Sequence, residues 1–96
     1  MFQKYTEEKI QQVWNKGIIV NGKDPSQVRM DSCGAYISRQ MYGDTSTQNN
    51  NGWEIDHIMP ESNGGTDDLY NLQPLQWFNN RAKSDGLQLC PIKASV

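Results

Sequence analysis

The chain has 96 residues, 35% of them hydrophobic and including three Trp, four Tyr and two Phe, enough for one compact core and at most one domain. No apolar run exceeds Ile18-Ile19-Val20, which excludes a membrane-spanning helix, and residues 1–8 lack a secretion-signal stretch, making the cytoplasm the expected compartment. The net charge of −2 is uneven, with residues 1–52 at +1 and residues 53–96 at −3; phosphate recognition normally leaves a basic footprint, so the balance argues mildly against a nucleic-acid binder, and a bound divalent cation would offset part of the acidity.

In chain order, residues 7–16 predict a helix. Thr6 is the N-cap, Glu7 and Glu8 suit the positive end of the dipole, Gly17 is a stop, and Ile10, Val13 and Trp14 share one face. Ile18 to Val20 begins a short extended run before the Asn21-Gly22 turn, and Asp24-Pro25-Ser26 suits a capped helical turn. A strand is expected around Ala35, Tyr36 and Ile37, then a polar loop from Gly43 to Gly52 closed by an Asn51-Gly52 turn needing positive φ. The clearest strand is Trp53 to Ile58, with Trp53 and Ile55 on one face and Pro60 ending it. A loop over Glu61 to Asp68 turns at Gly64-Gly65, with Asp67 and Asp68 as capping groups. Asn71-Leu72-Gln73 suits a second short strand. Leu75 to about Ser84 reads as a helix with Leu75, Phe78 and Ala82 on one side, and residues after Cys90 as a loose tail. Trp53, Trp77 and Phe78 are expected in the core rather than as base-stacking platforms. Lys16, Lys23, Arg29 and Arg39 are expected as scattered surface charge.

Cys33 and Cys90 are far apart and no C-x-x-C pair exists, so no structural zinc built on cysteines is expected. Two reduced thiols in or near the core are the expectation for a cytosolic chain.

The polar groups that matter fall at the end of the clear strand (Asp56, His57), after the glycine loop (Asn71) and in the following helix (Asn80). A carboxylate and an amide oxygen are hard donors suited to Mg²⁺, which takes one or two carboxylates and keeps waters for substrate phosphate. An imidazole titrates near roughly pH 6.5 and can abstract a proton from water, so activity should fall as the ring protonates. Adjacent strand residues point to opposite faces, so a strand carrying Asp56 and His57 to one phosphate must bend or end beside them.

The order Asp56-His57, Pro60, Gly64-Gly65, Asn71-Leu72-Gln73 and Asn80-Arg81-x-Lys83-Ser84-Asp85 resembles the HNH nucleases. Asp31 to Ala35 and Tyr42-Gly43 add a weaker match to the lead-in of small bacterial and phage members. The resemblance implies a ββα-metal finger over about 53–85 within a single domain spanning 1–96. The fold class is then α+β: an N-terminal helix on a short antiparallel sheet, followed by the finger. It also implies His57 as general base, Asn71 as the catalytic-site residue that holds the loop and orients the histidine, and Asp56 and Asn80 as ligands of Mg²⁺, with Mn²⁺ as substitute. Arg81 and Lys83 fall where phosphate contacts are expected. DNA is the implied substrate, with RNA as the alternate one, cut to leave 5′-phosphate and 3′-hydroxyl ends, and no membrane partner is expected. Since His57 is the only histidine, the last motif position is Asn80. The competing reading is a nucleic-acid-binding module on the same scaffold without catalysis. A serine hydrolase ranks last, because no G-x-S-x-G elbow is present.

Overall fold

The computed structural model describes residues 4–84 and 86–94. Six elements form a small α+β arrangement: helix α1 (Glu7–Trp14), strands β1 (Val28–Met30) and β2 (Tyr36–Ser38), strands β3 (Trp53–His57) and β4 (Leu72–Gln76), and helix α2 (Trp77–Ala82). Helix α1 starts as expected, with the Thr6 side chain accepting from Lys9 N–H, and it buries Ile10, Val13 and Trp14. It ends at Trp14, three residues before Gly17. There Lys16 turns inward and donates its ammonium to the carbonyls of Leu69 and Leu72, tying the helix end to β4.

The two sheets are antiparallel pairs. β1 pairs with β2 in the register Arg29↔Ile37, and β3 with β4 from Trp53↔Gln76 to His57↔Leu72. Trp53 and Ile55 lie together in a core with Ile10, Val13, Trp14, Ile37 and Leu72. Trp14 and Tyr42 pack their rings 5.3 and 4.9 Å from that of Trp53. No described helix is long and apolar enough to cross a membrane.

Several expectations are corrected. Strand β1 had no periodic signal, being three half-buried residues, and of the run 18–20 only Ile18 pairs, with Met30. Asp24 does cap its turn, accepting from Ser26 N–H, but no helix forms there. Gly52 has no positive φ; glycine is needed because a Cβ would collide with the carbonyl of Asp44. The second finger strand begins after Asn71 and continues through Leu75 and Gln76, so Leu75 belongs to the sheet rather than to the helix. Pro74 holds the residue before it extended. Gln76 caps α2, its side-chain oxygen accepting from Phe78 and Asn79 N–H while its amide donates to the carbonyls of Gln48 and Asn50. Trp77 and Phe78 are half-buried rather than core.

Cys33 and Cys90 are not reduced thiols but a disulfide. The segment after Cys90 is docked through residue 94. Asn79 exchanges two hydrogen bonds with the backbone of Ile92, and Ala94 N–H donates to Gly34 C=O. Beneath it lies the fully buried Asp31 carboxylate, which accepts from Cys33, Ala35 and Gln76 N–H and from the Asn79 amide. Four donors stand in for a counter-ion.

Candidate functional site

Strand β3 runs regularly to His57 and ends there, so neighbouring side chains leave on opposite sides as the pleat requires. Glu54 and Asp56 reach toward α2, and His57 reaches toward the loop over 61–68. The pair is therefore not turned onto one face. Instead a cavity of about 310 Å³ wraps the strand's end, lined by Asp56, His57, Glu61, Asn80, Lys83 and Gly86 among others. Gly86 closes one wall in a left-handed turn, where a Cβ would lie 3.2 Å from Pro60.

On the α2 side the acids are matched with cations. Glu54 accepts two hydrogen bonds from Arg81, at 3.1 and 2.7 Å, and one at 2.9 Å from the Asn80 amide. The Asn80 NH₂ thus faces Glu54, and the residue lines the cavity. The Glu54 carboxylate holds the Arg81 guanidinium still more firmly protonated than usual. Asp56, 6% exposed, takes the Lys83 ammonium on both oxygens and the Gln73 amide on one. Arg81 and Lys83, expected at phosphate, are thus both paired with acids of β3. Lys16, Arg29 and Arg39 are occupied as well, the first two with backbone carbonyls and the third with Gln11 and Glu7.

On the loop side, His57 Nε2 lies 2.7 Å from Asp67 Oδ1. Asp67 was expected to cap a turn, yet it is the partner of the histidine. Its carboxyl is held below the usual carboxylate range, chiefly by the hydrogen bond from His57 and further by Lys4 and by Tyr5, whose hydroxyl donates to it. Burial, with Asp67 nearby, pushes the Tyr5 phenol well above its ordinary value. His57, Glu61 and Asp67 each present a ligand atom within 4.8 Å of the others. The sequence carried one faint signal for Glu61 and Asp67, their place between His57 and Asn71, and nothing that distinguished them from surface acids.

Asn71 is buried and spans the base of this loop. Its Oδ1 accepts from Met59 N–H, and its Nδ2 donates to the carbonyls of Met59 and Thr66. Gly64 turns the loop with φ at 91°, and Gly65 passes so close to Met59 that a Cβ would collide with its carbonyl.

The donor set fits a hard divalent cation, since Asp56 and Asn80 line one cavity with His57 and Glu61, and the last two present ligand atoms within 4.8 Å of each other and of Asp67. A family model described as HNH endonuclease matches residues 37–86, just over half of the chain. The match includes Asp56, His57, Asn71, Asn80, Arg81 and Lys83 and leaves out the Asp31 to Ala35 lead-in. Neither the curated proteins nor the solved structures include a match to this chain.

Proposed function

The chain belongs to the HNH endonuclease family, and on that premise we propose that it hydrolyses phosphodiester bonds of DNA with the help of one divalent cation, with His57 as general base and Asp56 and Asn80 as ligands. Residues 1–96 are read as a single nuclease domain built around the 53–85 core. The observation that carries the reading is that the base and both ligand residues line the same cavity, although the strand sends Asp56 and His57 to opposite sides.

Each residue then has a defined task. An ionised carboxylate only accepts hydrogen bonds, so in the neutral ring His57 Nε2–H donates to Asp67 and Nδ1 is left as the basic nitrogen. Asp67 holds the ring in place and stabilises the imidazolium that forms when His57 removes a proton from water. Asn71 is a positioning residue, fixing the loop that carries Asp67. Asp56 and Asn80 hold the ion, Mg²⁺ or in its place Mn²⁺, which when bound stabilises charge on the phosphate and on the leaving oxygen. Lys83 and Arg81 supply positive charge beside the phosphate. The products carry 5′-phosphate and 3′-hydroxyl ends, and RNA is the alternate substrate. The compartment expected from the sequence, the cytosol, is set against the disulfide, because such bonds persist in oxidising surroundings.

A second ligand set is favoured by the convergence of His57, Glu61 and Asp67 within 4.8 Å. In that arrangement His57 binds the ion and is not free to serve as base.

The test is nicking of a supercoiled plasmid with Mg²⁺ or Mn²⁺. Wild type should cut, His57→Ala should lose about 10²–10⁴-fold in rate, and Asn80→Ala should be slower than wild type. No cutting of DNA or RNA with either ion defeats the enzyme reading and leaves the binding module. Rates equal to wild type in both variants defeat the site assignment. Loss of Mn²⁺ binding in Glu61→Ala but not in Asn80→Ala selects the second ligand set.

A further inference from the structure

Lys83 follows the last residue of α2, and its side chain is only 9% exposed. Its ammonium donates to Asp56 Oδ1 at 3.0 Å, to Asp56 Oδ2 at 2.9 Å and to the backbone carbonyl of His57 at 2.8 Å. With the Ile58 carbonyl at 3.5 Å, four oxygens thus converge on one cation. Gln73, the cross-strand partner of Asp56, adds a 2.9 Å bond from its amide to Oδ2. A carboxylate offers about four lone-pair positions, and three of those of Asp56 are in use.

We propose that Lys83 is the resident counter-ion of Asp56 and exchanges with the divalent cation, so that filling the site and releasing the ammonium are one event. The inference rests on the reading of Asp56 as a ligand. Two cations on one largely buried carboxylate repel each other strongly in surroundings of low dielectric. Of the groups on Asp56, only the ammonium can leave readily: it ends a flexible four-carbon stem, and its residue lines the open cavity. Gln73 is neutral and held from behind, its oxygen accepting from Ser32 and its amide also reaching Gln88, so it keeps the carboxylate oriented during the exchange. Asp56, which unlike Asp31 has a single neutral donor, therefore keeps a counter-charge throughout. The ammonium, once released, is beside the cavity where a phosphate would bind.

The exchange is read directly from the side-chain ammonium signals of ¹⁵N-labelled wild-type protein during titration with Mg²⁺. The Lys83 signal, protected while the group is buried and bonded, should disappear or shift in step with saturation. Calorimetric titration with Mn²⁺ should show Lys83→Met binding about tenfold tighter than wild type, a coupling of ordinary size between two competing occupants. An unchanged Lys83 signal at saturating Mg²⁺ overturns the exchange, provided that Asp56→Ala abolishes ion binding. If Asp56→Ala binds Mn²⁺ as tightly as wild type does, the ligand assignment beneath the inference fails, and the exchange fails with it. The signal experiment uses unaltered protein, so a folding defect in Lys83→Met leaves the question decidable.

Discussion

The two sides of the β3 terminus handle charge in opposite ways. Toward α2, Asp56 is 6% exposed and neutralised by a nearly buried Lys83, while Glu54 is bracketed by Arg81 and Asn80. Toward the loop, His57 meets an Asp67 whose side chain is 56% exposed. The first side is a dry, pre-paired carboxylate with the Lys83 ammonium on both of its oxygens. The second pairs a largely covered histidine, its side chain 13% exposed, with a carboxylate that faces solvent. Strand alternation separates them, and only the cavity around the strand end rejoins them. An arrangement of this kind keeps a buried acid from destabilising the fold while His57 stays at the edge of the cavity.

The contrast predicts unequal responses to mutation. The largest effect on stability should come from Asp56→Ala, which takes the carboxylate from both the Lys83 ammonium and the Gln73 amide. Removing one partner of such a pair typically costs about 3–5 kcal/mol, measurable by urea denaturation, and a loss below about 1 kcal/mol would make the pair equivalent to a surface contact. Breaking the disulfide comes next. It closes a long stretch of chain, with 57 residues of sequence separation, and Cys90→Ser or reduction should cost about 2–4 kcal/mol in the same assay. Cys90 also adopts a positive φ of 55°, a conformation that non-glycine residues adopt at a cost, so the local chain should relax. Because Gln88 contacts Cys90 Sγ and also Gln73, hydrogen exchange should rise around Gln73 and Asp56 and stay unchanged at His57. A uniform rise would show that the two sides are not mechanically distinct.

The smallest effect belongs to Asp67. Its carboxyl is depressed in the folded protein, chiefly by His57. Its contribution is therefore complete above the ordinary carboxylate value, about 3.9, and is lost as pH falls through the lower folded value. Urea midpoints between pH 5 and pH 3 should fall less steeply in Asp67→Asn than in wild type. Equal slopes would remove Asp67 as the partner that matters to His57.

Elements with a strong local period were legible in advance. Ile10, Val13 and Trp14 repeat at helical spacing, and Trp53 and Ile55 alternate, so α1 and β3 followed from the residues alone. The boundary between β4 and α2 did not, because Gln76 uses its side chain to cap the helix and to hold the loop at 48–50, contacts 26 and 28 residues distant. The docked segment after Cys90 was misjudged for a similar reason, since its partners Asn79, Gly34 and Cys33 lie far back along the chain.

By itself, then, the sequence determined the α+β class, the helix and strand that build the core, and the residue types at the family's motif positions. Short-range spacing specifies these. Tertiary structure alone decided that Asp67 partners His57, that Lys83 sits on Asp56, that the cysteines join, and that Asp56 and His57 share a cavity from opposite sides of a strand. Those outcomes depend on which side chains and surfaces meet once the chain has folded, and local periodicity carries no term for that.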